Sequence, residues 1–122
     1  MTTKIRNYTP HPITIRAPQG DLIVTPEPTP ARSASTSTPG DALSVDGHEV
    51  FTSVTTFGAL QGLPPPEPGI VLVCSAIVAE QAAREGRGDV YAPGTGPTDG
   101  AVRDDAGRIV AVTRLVRVAP RA

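Results

Sequence analysis

Ile70-Val71-Leu72-Val73-Cys74-Ser75, running directly into Ala76 to Glu85 and then Gly86, is the stretch whose reading decides the fold. Five consecutive apolar residues suit a central strand buried on both faces. Ser75 follows as a natural N-cap. Ala76 to Glu85 then places Ile77, Val78, Gln81 and Ala82 at helical spacing as an inner stripe. Gly86 stands where a left-handed glycine ends a helix. No other segment carries a comparable helical signal, so one strand and one helix anchor a chain that is otherwise read as β.

Upstream, Ile13 to Arg16 and Leu22 to Thr25 alternate like strands around Ala17-Pro18-Gln19-Gly20-Asp21, which predicts a hairpin with a five-residue loop. Pro26, Pro28 and Pro30 forbid a helix and favour an extended path. Ala31 to Thr38 is small and hydroxyl-rich, and reads either as an edge strand or as a loop. Asp46-Gly47 between Ala42 to Val45 and His48 to Val54 predicts a type I′ hairpin whose second arm extends toward Phe57. Gly58 to Gly69 holds Pro64-Pro65-Pro66 and predicts a connection without ladder donors. Downstream, Asp89-Val90-Tyr91 suits a short strand and Ala92 to Gly100 an irregular loop. Ala101 to Arg103, the turn at Asp104 to Gly107, and Arg108 to Val118 form a last hairpin, with Ile109 to Val116 expected to be internal. The expected fold is α+β and mostly β, a mixed or antiparallel sheet of short strands with one helix at 76–85, in a single domain spanning 1–122.

Composition limits the possible roles. The chain has 122 residues and a formal net charge of −1, which argues against non-specific nucleic-acid binding. No apolar run is long enough to span a bilayer, and the first residues carry no signal-peptide pattern, so a cytoplasmic setting is expected. A single cysteine, Cys74, excludes a disulfide framework and a cysteine-based zinc cluster. There is no Trp, and Tyr8, Phe51, Phe57 and Tyr91 are the only aromatics, so the core must be built from small aliphatic side chains. A thin core in a short chain makes homo-oligomerisation an expected way to bury more surface. Lys4 is the only lysine beside ten arginines, seven of them from Arg84 onward. That bias reads either as GC-rich coding or as forked donors for phosphate or carboxylate.

Four segments carry a resemblance. They are Asn7-Tyr8-Thr9-Pro10-His11-Pro12, Gly62-Leu63-Pro64-Pro65-Pro66-Glu67-Pro68-Gly69, Gly88-Asp89-Val90-Tyr91-Ala92-Pro93-Gly94, and Val102-Arg103-Asp104-Asp105-Ala106-Gly107-Arg108-Ile109. Together they resemble a group of short phage and prophage proteins common in actinobacteria, over most of the chain outside 27–45. The resemblance implies a bacterial host cytoplasm and, by analogy with other small phage proteins, a role against host defence.

The candidate chemistry is sparse. His11, fixed between Pro10 and Pro12, reads either as a ligand contact or general base, or as a local hydrogen bond that pins the N-terminal segment. His48 reads as a solvated hairpin residue. Ser75 lacks the flanking glycines of a nucleophile elbow and reads as a cap. Cys74 reads as inert core. With two histidines and no third clustered ligand, no metal site and no cofactor are expected. The glycine- and threonine-rich loop at 92–100 is the best ligand loop, since Gly94 and Gly96 let backbone approach a ligand.

The expected site is therefore Arg87, Tyr91, Thr95, Gly96 and Arg103, with His11 as an outlying member. Arginine forks and loop amides would hold a phosphate, and Tyr91 would stack on a ring. The expected function is non-enzymatic binding and sequestration of a small phosphorylated or nucleotide-derived ligand. The alternative is a protein-interaction or virion accessory module whose partner is a host protein. No membrane or nucleic-acid partner is expected.

Overall fold

The computed structural model describes residues 3–119. Twelve strands and one helix follow in order: β1 (Lys4–Asn7), β2 (Ile13–Ala17), β3 (Gly20–Val24), β4 (Arg32–Pro39), β5 (Leu43–Val45), β6 (His48–Val50), β7 (Ser53–Gln61), β8 (Ile70–Val73), α1 (Ala76–Arg84), β9 (Val90–Pro93), β10 (Val102–Arg103), β11 (Ile109–Ala111) and β12 (Leu115–Val116). The fold is α+β and mostly β. A four-stranded mixed sheet, in the order β1-β8-β9-β12, forms the centre. β1, β8 and β9 are mutually parallel, and β12 returns antiparallel to β9.

The apolar run at 70–74 lies inside this sheet. Alternation sends Leu72 and Cys74 to one face and Val73 to the other, and all three are buried. On the first face they meet Val78, Ala79 and Ala82 of α1, with Tyr8, Leu60 and Leu63 at the margin. On the second face Val73 packs with Ile13 and Val112, flanked by Ile5, Ile15 and Leu115. Val112 is held between two residues of β2, donating to Thr14 O and accepting from Arg16 N.

The helix keeps its expected ends. Ser75 Oγ accepts from Val78 N, and Gly86 at φ 87° closes the last turn by donating to Ala83 O. Its inner stripe differs from the expected one. Val78, Ala79, Ala82 and Ala83 are buried, whereas Ile77 is 53% exposed. These four small or branched seats let the helix lie close to the sheet, and Ile77 shares a small surface pocket with Phe57.

Several connections are corrected. The first hairpin closes on the two residues Pro18 and Gln19, because Ala17 pairs with Gly20. The segment from Arg32 to Pro39 resolves as a strand: β4 pairs with β7, with one bulge between Ser33 and Ser35. The Asp46-Gly47 turn has φ of 50° and 79°, as type I′ requires. Its second arm stops at Val50, and β7 is a separate strand that continues through Gly58 to Gln61, where a donor-free connection was expected. The irregular loop begins later than expected, since β9 reaches Pro93. The final apolar arm is not one internal strand. It breaks into β11 and β12, because Val112 is taken by β2, and Ile109 and Val110 are left exposed.

Among the described residues, no helix is long and apolar enough to cross a membrane, and no group of three or more His, Cys, Asp or Glu is placed to hold a metal ion.

Candidate functional site

The parallel strands β1, β8 and β9 all end at the same edge of the sheet. Past their carboxyl ends lie Tyr8 and Thr9, then Cys74 and Ser75, then Gly94 and Thr95. In open sheets with parallel strands this edge is the usual place for a ligand, since loops and helix N-termini converge there. A cavity of about 430 Å³ sits at this edge. That volume lies within the range of small-molecule sites, about 300–1,000 Å³.

Four segments build its wall. The loop after β1 supplies Thr9, His11 and Pro12, and the start of β2 adds Ile13 and Thr14. The N-terminus of α1 supplies Ser75 and Ala76, the end of β9 supplies Pro93 and Thr95, and β11 brings Ile109 and Val110, with Val112 behind them. The lining is mainly aliphatic, with four hydroxyls and one imidazole. Among the described residues, no acid and no arginine lines it.

Asn7 fixes the first wall. It is the one buried polar residue among the described residues, with 0% exposure. Its Nδ2 donates to His11 O at 2.8 Å and to Val24 O at 3.0 Å. Its Oδ1 accepts from Thr9 N and Thr9 Oγ1. A buried carboxamide with four bonds is fully satisfied, and it ties the Thr9–His11 turn to both β1 and β3. The helix wall is set by the cap. Ser75 Oγ takes the Val78 N–H, which leaves the amides of Ala76 and Ile77 without intrahelical acceptors.

The loop after β9 is pinned from below. Gly94 N donates to Arg114 O, and Gly96 N donates to Asp99 Oδ2 at 2.8 Å. Gly94 is required by closeness: an added Cβ would stand 2.8 Å from Arg114 O and 2.9 Å from Arg114 Cγ.

Of the six residues singled out in the sequence, His11 and Thr95 line this one cavity, although 84 positions separate them. Gly96 adjoins Thr95, but its amide is spent on Asp99. Tyr91 is the second residue of β9, half-buried, and does not line this cavity. Arg87 is elsewhere. Its guanidinium makes a two-pronged pair with Asp89 at 2.9 Å and donates to Pro64 O at 2.9 Å. That hydrogen-bonded pairing raises Arg87 and holds the Asp89 carboxyl below the usual aspartate range. Arg103 spans its own hairpin, donating to Gly107 O at 2.7 Å. Cys74 is fully buried beneath the sheet edge, and burial pushes its thiol up to about 12, so it offers no thiolate.

Sequence reading passed over Thr9, Ile109 and Val110. Asn7 and Thr9 carry a signal in hindsight, since an Asn two residues before a Thr and just ahead of Pro favours a side-chain-closed turn. Ile109 and Val110 carry none, because an apolar pair in a predicted strand reads as core. Comparison with family models, curated proteins and solved structures finds no match to this chain.

Proposed function

We propose that this protein binds and retains a small phosphorylated or nucleotide-derived ligand, without transforming it, in the cavity at the carboxyl edge of β1, β8 and β9. The observation that carries the reading is the meeting of His11, Ser75 and Thr95, from three separate segments, in one cavity of about 430 Å³. An anionic group fits against the free amides at the start of α1, where the helix dipole favours negative charge. The hydroxyls of Ser75 and Thr95 and the imidazole of His11 supply further donors, while the Thr9 hydroxyl is already given to Asn7 Oδ1. The apolar part of the ligand packs on Pro12, Ile13, Ile109 and Val110. The wall's donors, two hydroxyls, an imidazole and the amides at the start of α1, suit one compact anionic group.

Binding without chemistry is supported by the same lining. Among the described residues no carboxylate stands in the cavity to orient His11 as a base, and Ser75 Oγ is engaged as a cap. In the phage setting implied by the sequence resemblance, retention of a nucleotide-derived host signal would blunt a defence response.

The test is a thermal-shift panel of nucleoside monophosphates, cyclic mononucleotides and sugar phosphates. A ligand at 100 times its dissociation constant stabilises by about 2.7 kcal/mol. Failure of every member overturns the reading. A second reading, a protein-interaction module, draws support from the exposed ribbon formed by β4 and β7.

A further inference from the structure

β4 and β7 pair antiparallel over residues 32–39 and 53–61, and β5 and β6 form a hairpin beyond them. Every residue from Ala34 to Ala59 is exposed except Gly40 and Thr52, which are intermediate. At about 3.3 Å per residue, β4 alone makes an arm roughly 26 Å long. Near its base the arm approaches α1 through both β4 and β7, with Phe57 beside Ile77 and Leu60 packed against the core. Its distal part is apolar and acidic. Phe51 is 81% exposed, beside Leu43, Val45 and Val50. Asp41, Asp46 and Glu49 are its only charges between Ser33 and Gln61, and none is in an ion pair among the described residues.

The body carries the complementary surface. β1 is an edge strand, and a groove of about 470 Å³ separates it from β3. Lys4 N and Tyr8 N donate to β8 and its extension, so by alternation Ile5 turns its N–H and C=O toward the groove. Leu22 and Ile23 give the groove an apolar wall and are largely exposed. Lys4 and Arg6 line it, and neither is in an ion pair among the described residues. Glu27 closes the inner end, its N–H bound to Asn7 O.

We infer that the acidic, apolar tip of the arm docks in the basic, apolar groove beside β1 of a second copy of this chain. Unpaired strand edges, exposed aliphatic surface and opposite unpaired charges then meet together, and the edge of β1 is covered by an added strand. The occupant is a second copy because both halves of the fit stand on one chain. Reciprocal exchange of arms also answers the shortage of core in so short a sequence.

The experiment is analytical ultracentrifugation of the full chain and of two charge reversals, with circular dichroism to verify folding. One variant carries Lys4→Glu and Arg6→Glu. The other carries Asp41→Lys and Glu49→Lys, with Asp46 kept because its φ of 50° suits Asp. The wild-type chain is expected to self-associate. Each variant alone is expected to self-associate at least about tenfold more weakly. Mixed in equal amounts, the two are expected to form a heteromeric species, because each arm then faces a groove of opposite charge. A monomeric wild-type chain overturns the inference. So does assembly that survives both reversals, or a pair of folded variants that stay apart when mixed.

Discussion

Asn7 Oδ1 accepts from the backbone N–H of Thr9 at 2.9 Å and from its hydroxyl at 2.6 Å. One buried carboxamide therefore closes the turn that follows β1 and sets where His11 stands. The loop contributes a rigid wall to the cavity, since both ends of the turn are held by the same side chain. Preorganisation of this kind reduces the entropy lost when a ligand binds.

Asn7→Ala removes four hydrogen bonds and leaves the Thr9 N–H without its acceptor and Val24 C=O without its carboxamide donor, while His11 C=O keeps the Thr9 hydroxyl. Unpaired buried groups cost about 1–3 kcal/mol each, with part recovered by water. The expected loss of stability is about 2–4 kcal/mol by chemical denaturation. Faster hydrogen exchange at the amides of Thr9 and His11 is expected with it. A loss below about 0.5 kcal/mol would remove Asn7 as the organiser of this wall.

Arg87 and Asp89 are a structural pair that ties the end of the α1–β9 connection to Pro64. Both side chains are less than one-fifth exposed, at 19% and 18%. Arg87→Met leaves Asp89 and Pro64 O without their donor, and is expected to cost about 1.5–3 kcal/mol. The pH dependence follows from Asp89, whose carboxyl is lowered by its bond to Arg87. The pair's stabilisation is complete above the ordinary aspartate value of about 3.9, and is lost as pH falls through the lower folded-state value. Denaturation between about pH 7 and pH 2 should thus show a steeper acid loss for wild type than for Asp89→Asn. Equal slopes would contradict the assignment.

Gly94 is the point where the loop after β9 crosses the backbone of Arg114. Gly94→Ala puts a methyl group 2.8 Å from a backbone oxygen that cannot rotate away. The expected cost is about 1–3 kcal/mol, as for other overpacked sites. Gly86→Ala meets no atom within 4 Å and is opposed only by its φ of 87°, so it costs about 1 kcal/mol. A calorimetric ranking with Gly86→Ala the more damaging would refute the close crossing.

Much of the fold was legible because its signals are local. The run Ile70 to Cys74, the cap at Ser75, the stop at Gly86 and the Asp46-Gly47 turn each depend on neighbours in sequence, and each recurs in the structure. The extent of β4 was not legible, because Ser and Thr suit strand and loop alike. The break at Val112 was not legible either, since it arises from a contact with Thr14 and Arg16 nearly 100 residues away. The site was legible in part. His11 drew notice through its flanking prolines, and Thr95 through its glycines. Arg87 and Arg103 drew it through charge alone, and both donate within the fold, to Asp89 and Pro64 and to Gly107. Sequence position gives no sign of whether a guanidinium already has a partner.

The proposed function rests on a small anionic ligand held in the cavity at the strand ends. The most direct test is isothermal titration of the best panel member into wild type and into Val110→Trp. Val110 is 49% exposed at the cavity wall, so the larger ring occupies the cavity while leaving the core intact. Binding is expected in wild type and is expected to weaken at least about tenfold, or about 1.4 kcal/mol, in Val110→Trp. His11→Ala should weaken it as well, with unfolding midpoints of the free proteins unchanged. Binding that is equally tight in folded Val110→Trp and His11→Ala would place the ligand elsewhere and overturn the proposed site.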